Sequence, residues 1–198
     1  MIQVATTPYG ADAHRALAAE IARLKGGDPL RPMSVVVSSN PIGIAARRAL
    51  GHAGGIAAIT FLTPYRLAEL LGAAAVAATG RRPLSTPVLA GAVRAVLADE
   101  PGHFGGVASH PATERSLVRA HRTLSEVGPT GLERLAATSP RTADVVRVYR
   151  AVSERLRPRF SNEQDLVRAA VDAVPTSPPA LADLGPTILF LPQRLSSG

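Results

Sequence analysis

Hydrophobic positions follow two different regimes along this chain. Between Ile2 and Leu71, short apolar runs alternate with amphipathic stretches. The clearest case is Ser34 to Leu50, SVVVSSNPIGIAARRAL, where Val35, Val36 and Val37 form the unbroken β-branched run of a strand covered on both faces. Ser38-Ser39-Asn40 stops the run; Asn40 suits an N-cap and Pro41 the first helical position, where its missing N–H would have no partner. Upstream, Ile2–Thr6 reads as a first strand. Ala11–Lys25 reads as a helix, with Leu17, Ile21 and Leu24 at i, i+4, i+7 and Gly26-Gly27 closing it. Downstream, Ile56–Leu62 reads as a third strand, and Thr63-Pro64 opens a helix through Leu67, Leu70 and Leu71. The order β-α-β-α-β-α, with short connections, predicts a parallel sheet with helices on its faces.

Past Gly80 the pattern becomes helical. No convincing strand falls between Arg81 and Val174. Thr86-Pro87 opens a helix to about Ala98, and a Gly-rich loop spans Pro101–Gly106. Helices follow over Pro111–Glu126 and Thr130–Ala137, and from Ser139-Pro140 with Val145, Val148, Tyr149, Val152 and Leu156 as its stripe. Ser161 with Gln164 fits a capping box for a last helix to Val174. After a Pro-rich linker, Thr187–Leu191, TILFL, is again a buried-strand run. The expected organisation is therefore an α/β part over residues 1–80, an all-helical insertion over 81–175, and a linker with a returning sheet strand over 176–198. The chain stops seven residues past that strand, which reads as a truncated frame or a fragment.

Composition narrows the chemistry. Of the 22 basic residues only Lys25 is a lysine; with 15 acidic residues the net charge is +7. Abundant Arg, Ala, Gly and Pro reflect a coding bias, but the surplus charge still favours a polyanionic partner. There is no cysteine, which excludes disulfides and thiolate chemistry and is compatible with a cytoplasmic location. The N-terminus lacks the basic start and long apolar run of a signal peptide, and no stretch reads as a membrane span.

Catalytic patterns are missing where an α/β nucleotide enzyme would carry them. A phosphate loop needs glycines, a Lys and a Ser or Thr after the first strand. The turn Thr7–His14, TPYGADAH, offers one Gly, a donorless Pro8 and a repelling Asp12. The returning strand ends Leu191-Pro192-Gln193, without the carboxylates that would hold magnesium. The five His lack metal-ligand spacing, and no acid-x-Lys nuclease motif surrounds Lys25. No catalytic, cofactor or metal residue is assigned. What remains is basic: Arg115, Arg119 and Arg122 fall at i, i+4, i+7 opposite Leu117 and Leu124, and Arg147 and Arg150 share a second helix.

The run SVVVSSNPIGIAARRAL, then AAITFLTPYRLAELLG, a helical insertion and ILFLPQRLS resembles the amino-terminal, helicase-like region of bacterial AddB/RecB-type proteins. These are PD-(D/E)XK nuclease subunits of double-strand-break repair complexes. The likeness covers nearly the whole chain in order, through short apolar motifs. It implies a RecA/P-loop-like parallel-sheet domain, with the Ser34–Leu50 segment matching helicase motif Ia. The lost phosphate loop and acidic pair set this chain apart from the ATP-hydrolysing members. The expectation is a non-catalytic module in DNA recombination and repair, without a cofactor, whose partners are DNA and a motor helicase subunit. Its candidate contacts are Ser38, Ser39, Asn40, Arg47 and Arg48, together with Arg115, Arg119 and Arg122. Two alternatives stay open: an ATPase with an atypical phosphate loop, and an inert truncated remnant.

Overall fold

The computed structural model describes residues 2–52, 55, 57–176 and 178–192. In chain order the elements are α1 (Ala11–Lys25), β1 (Met33–Val37), α2 (Asn40–His52), β2 (Ile59–Leu62), α3 (Pro64–Ala78) and β3 (Arg82–Pro83). Then come α4 (Thr86–Asp99), a 3-10 turn (Gly102–Val107), α5 (Pro111–Leu124), α6 (Pro129–Ala136) and α7 (Pro140–Leu156). The chain closes with β4 (Phe160–Ser161), α8 (Glu163–Ala173), α9 (Pro179–Asp183) and β5 (Thr187–Phe190). Two compact units result: an α/β unit from the residues up to Leu71 and those from Ala170, and a helical unit over Gly72–Ala169.

The α/β unit is built on a three-stranded parallel sheet in the order β2-β1-β5. Every residue of β1 is buried, as its valine run requires of a central strand. Ala13, Leu17 and Ile21 of α1 and Ala46 and Leu50 of α2 pack with Val35, Val37 and Phe190 in one core. Gly43 lets α2 approach closely, since a Cβ there would lie 3.2 Å from the Val37 side chain. Gly26 ends α1 in the left-handed conformation, its N–H bonded to Ala22 O, as the Gly-Gly stop predicts.

Three expectations need correction. Ile2–Thr6 forms no strand; it is irregular and exposed, and it pairs with neither edge of the sheet. β2 is shorter than read, with Ile56 itself outside the described residues. At the head of α2 the Gly43 N–H bonds to Ser39 O, so Ser39 is the cap residue and Asn40 the first helical one. The Thr63-Pro64 start is as expected, with Thr63 Oγ1 accepting from Arg66 N at 3.3 Å.

The helical unit packs α4, α5 and α7 around Leu89, Val93, Val96, Leu97, Leu117 and Val152. Ser139 and Thr142 form a reciprocal capping box at the head of α7. The box at the head of α8 is Asn162 with Asp165, not Ser161 with Gln164: Asn162 Oδ1 accepts from Asp165 N at 2.9 Å and Asp165 Oδ2 from Asn162 N at 3.0 Å. Ser161 is instead buried in β4, which pairs with β3 in a two-residue parallel ladder that the sequence does not announce. Asp144 and Arg147 of α7 pin the 3-10 turn: Asp144 accepts from His103 N at 2.8 Å, and Arg147 donates to Glu100 O at 3.0 Å.

Candidate nucleic-acid interface

The directions of α1 and α2 define two edges of the sheet. Lys25, at the end of α1, donates to Pro29 O at 2.7 Å, Arg31 O at 2.9 Å and Ala57 O at 2.8 Å, all ahead of β1 or β2. The start of α1 lies at the other edge, where the His14 ring is 5.9 Å from that of Phe190, the last residue of β5. The C-terminal edge of a parallel sheet is where open α/β domains take ligands. Here it gathers the Thr7–His14 turn, Ser38–Asn40 and Leu191-Pro192.

That edge is poor in phosphate chemistry. Gly10, the cap of α1, makes no side-chain contact, and Asp12 pairs with Arg15 beside it. β5 runs out through Leu191, at φ 48°, into Pro192; Gln193 lies outside the described residues. Ser38 Oγ is shut off from solvent and has no hydrogen-bond partner among the described residues. Ser39 is half-buried and Asn40 exposed, and neither side chain bonds within the described residues. Arg47 and Arg48 sit about two turns further along α2, roughly 10 Å from Asn40 by helical rise. Arg47 lies over the Phe61 ring, 5.0 Å from its centroid, while Arg48 is exposed. The five candidates of this unit therefore do not form one site: the turn lies at one edge and the arginines run back towards the other.

The helical unit differs in charge. It holds 14 Arg against 9 acidic residues, so most of the chain's positive surplus is here. Part of it is neutralised internally. Arg147 pairs with Asp144 at 2.6 Å and Glu100 at 3.2 Å, Arg155 with Asp99 at 2.8 Å, Arg81 with Asp165 at 3.3 Å and Arg94 with Glu114 at 2.9 Å. The Arg147 guanidinium, by its hydrogen bond, holds the Asp144 carboxyl below its usual range.

Arg115, Arg119 and Arg122 are different. All three are exposed on α5, opposite the buried Leu117 and Leu124, and none pairs with a carboxylate among the described residues. Arg122 only donates to Thr86 Oγ1. The i, i+4, i+7 spacing aligns three guanidiniums over roughly 10 Å of helix, a line of donors suited to successive phosphates.

One further cluster was invisible in the sequence. His121, on the buried face of α5, places Nε2 3.1 Å from Ser153 Oγ of α7, and its ring is 4.9 Å from that of Tyr149. Burial, aided by the Arg122 charge, pushes the His121 imidazole down to about 4, so it stays neutral near pH 7. Nothing in the spacing of residues 121 and 153 pairs them; only the contact between α5 and α7 does. Among the described residues no group of three His, Asp or Glu is placed to hold a metal, and no helix is long and apolar enough to cross a membrane. No protein-family model matches the chain, and no curated protein matches it significantly.

Proposed function

We propose that this chain is a non-catalytic, helicase-like DNA-binding module of the AddB/RecB kind, working within a recombination and repair assembly beside a motor subunit. The observation that carries the reading is the unneutralised Arg115/Arg119/Arg122 line on α5. Around it Arg81, Arg94, Arg147 and Arg155 are paired with acids, whereas these three stand in line on one exposed helix face. Further support comes from the parallel sheet with its fully buried central strand and from the Thr7–His14 turn, which carries a carboxylate, Asp12, and no lysine. Contact by the half-buried Ser39 and the exposed Asn40 at the head of α2 is an accessory to this face.

The test is equilibrium binding of fluorescent duplex and single-stranded DNA at low salt. The chain binds at least one of them, and the triple variant Arg115→Gln, Arg119→Gln, Arg122→Gln loses tenfold or more in affinity. Absence of binding to both, with no motor subunit co-purifying, would overturn the reading.

A further inference from the structure

The helical unit holds a cavity of about 210 Å³ behind α5, between α7 and the start of α8. Its floor is made by the His121 and Tyr149 rings with Ser125 and Ser153. Its mouth carries Arg157 and Arg168. The size is below that of a drug-sized pocket, so the cavity admits one ring system and leaves its polar substituents at the mouth.

Several polar groups here keep hydrogen-bonding capacity beyond what the fold uses. Ser153 Oγ is held by His121 Nε2, so the hydroxyl is oriented and keeps one donor or acceptor for the cavity. Ser125 Oγ donates to Arg122 O at 2.6 Å, which leaves its lone pairs as acceptors. The Arg157 and Arg168 side chains are exposed and make no ion pair or hydrogen bond among the described residues. Glu154, also lining the cavity, is likewise unpaired, whereas Asp165 is engaged by Arg81 and by the α8 cap. An aromatic wall, hydroxyls on the floor and two free guanidiniums at the mouth ask for a flat, hydrogen-bonding ring carrying one compact anion.

We propose that this cavity binds a mononucleotide unit, its base against Tyr149 and its phosphate taken by Arg157 and Arg168. The site stands independently of the α5 face, because a free mononucleotide would satisfy it whether or not that face binds DNA. The same chemistry is offered by a free nucleotide and by the phosphorylated end of a strand.

The experiment titrates the full chain, without magnesium, with AMP, adenosine and a 5′-phosphorylated deoxydinucleotide, followed by NMR shifts. AMP binds at millimolar concentrations or below, and adenosine binds at least tenfold more weakly. The double variant Arg157→Gln, Arg168→Gln weakens AMP by tenfold or more and leaves adenosine nearly unchanged; the control Arg134→Gln, Arg141→Gln alters neither. Dinucleotide binding that matches or exceeds AMP assigns the site to a strand end, and AMP binding alone assigns it to a free nucleotide. Failure of both AMP and the dinucleotide to bind, or binding insensitive to the Arg157/Arg168 variant, overturns the proposal. Because these probes are read separately from the DNA affinity, either reading can fail without the other.

Discussion

Both units tie cations into the fold, but among the described residues only the helical unit sets open arginines in a line along one helix face. In the α/β unit Lys25, the only lysine of the chain, has all three ammonium donors on backbone carbonyls, tying the end of α1 to the entries of β1 and β2. Arg15 and Arg23 are matched by acids on their own helix, and Arg47 lies over Phe61. In the helical unit the pairs Arg147–Asp144 and Arg155–Asp99 are of the same kind, yet α5 presents three arginines that no acid answers. A charge held by the fold contributes to stability and little to recognition. A charge the fold leaves open contributes little to stability and is available for a partner.

Substitutions sharpen that contrast. The largest effect is expected at Gly185, at φ 60°, where a Cβ would collide with Pro32 O beside the entry to β1. Gly185→Ala combines left-handed strain with a backbone clash, and should cost on the order of 3 kcal/mol in chemical denaturation. Lys25→Met leaves three carbonyls without their shared donor and should cost about 2 kcal/mol. Lys25→Arg should recover only part of this, because a planar guanidinium cannot replace a three-donor point charge.

The next effect is a pH dependence. His121 is pushed down to about 4 in the folded chain from an ordinary value of 6.5, so the unfolded chain binds the extra proton first. Stability contributed by the neutral imidazole is therefore full above pH 6.5 and is lost as pH falls towards 4. Since His121 borders an open cavity, the loss should be on the order of 2 kcal/mol rather than the full linkage value. His121→Gln should flatten the denaturation midpoint across that window, even if it lowers the midpoint throughout. Asp144 adds a separate acid loss: its carboxyl is held below the ordinary 3.8, so its contribution is present above that value and declines only at lower pH. The smallest stability effect belongs to the α5 arginines. Replacing all three by Gln should change stability by no more than about 0.5 kcal/mol each.

Local patterns were legible where one residue type has one physical use. The Val35–Val37 run marks the one strand buried along its whole length among the described residues, Gly26 supplies the left-handed stop of α1, and the i, i+4, i+7 arginines do share an exposed face. Errors arose where a motif had competitors. Ile2–Thr6 has strand-like composition, but strand formation depends on a neighbour, and this segment pairs with neither β2 nor β5 at the sheet's edges. Ser161–Gln164 and Asn162–Asp165 both fit a capping pattern; burial of Ser161 in β4 decides for the second. The His121–Ser153 contact and the cavity beside it depend on how α5 and α7 pack across 32 residues, a relation that no local spacing encodes.

The salt dependence of DNA binding tests the central claim most directly. If Arg115, Arg119 and Arg122 contact phosphates, the slope of log affinity against log salt should fall in magnitude by about 2 to 3 in the triple Gln variant, with the fold unchanged. The same slope in the wild-type chain and the variant would contradict the assignment of α5 as the DNA-binding face.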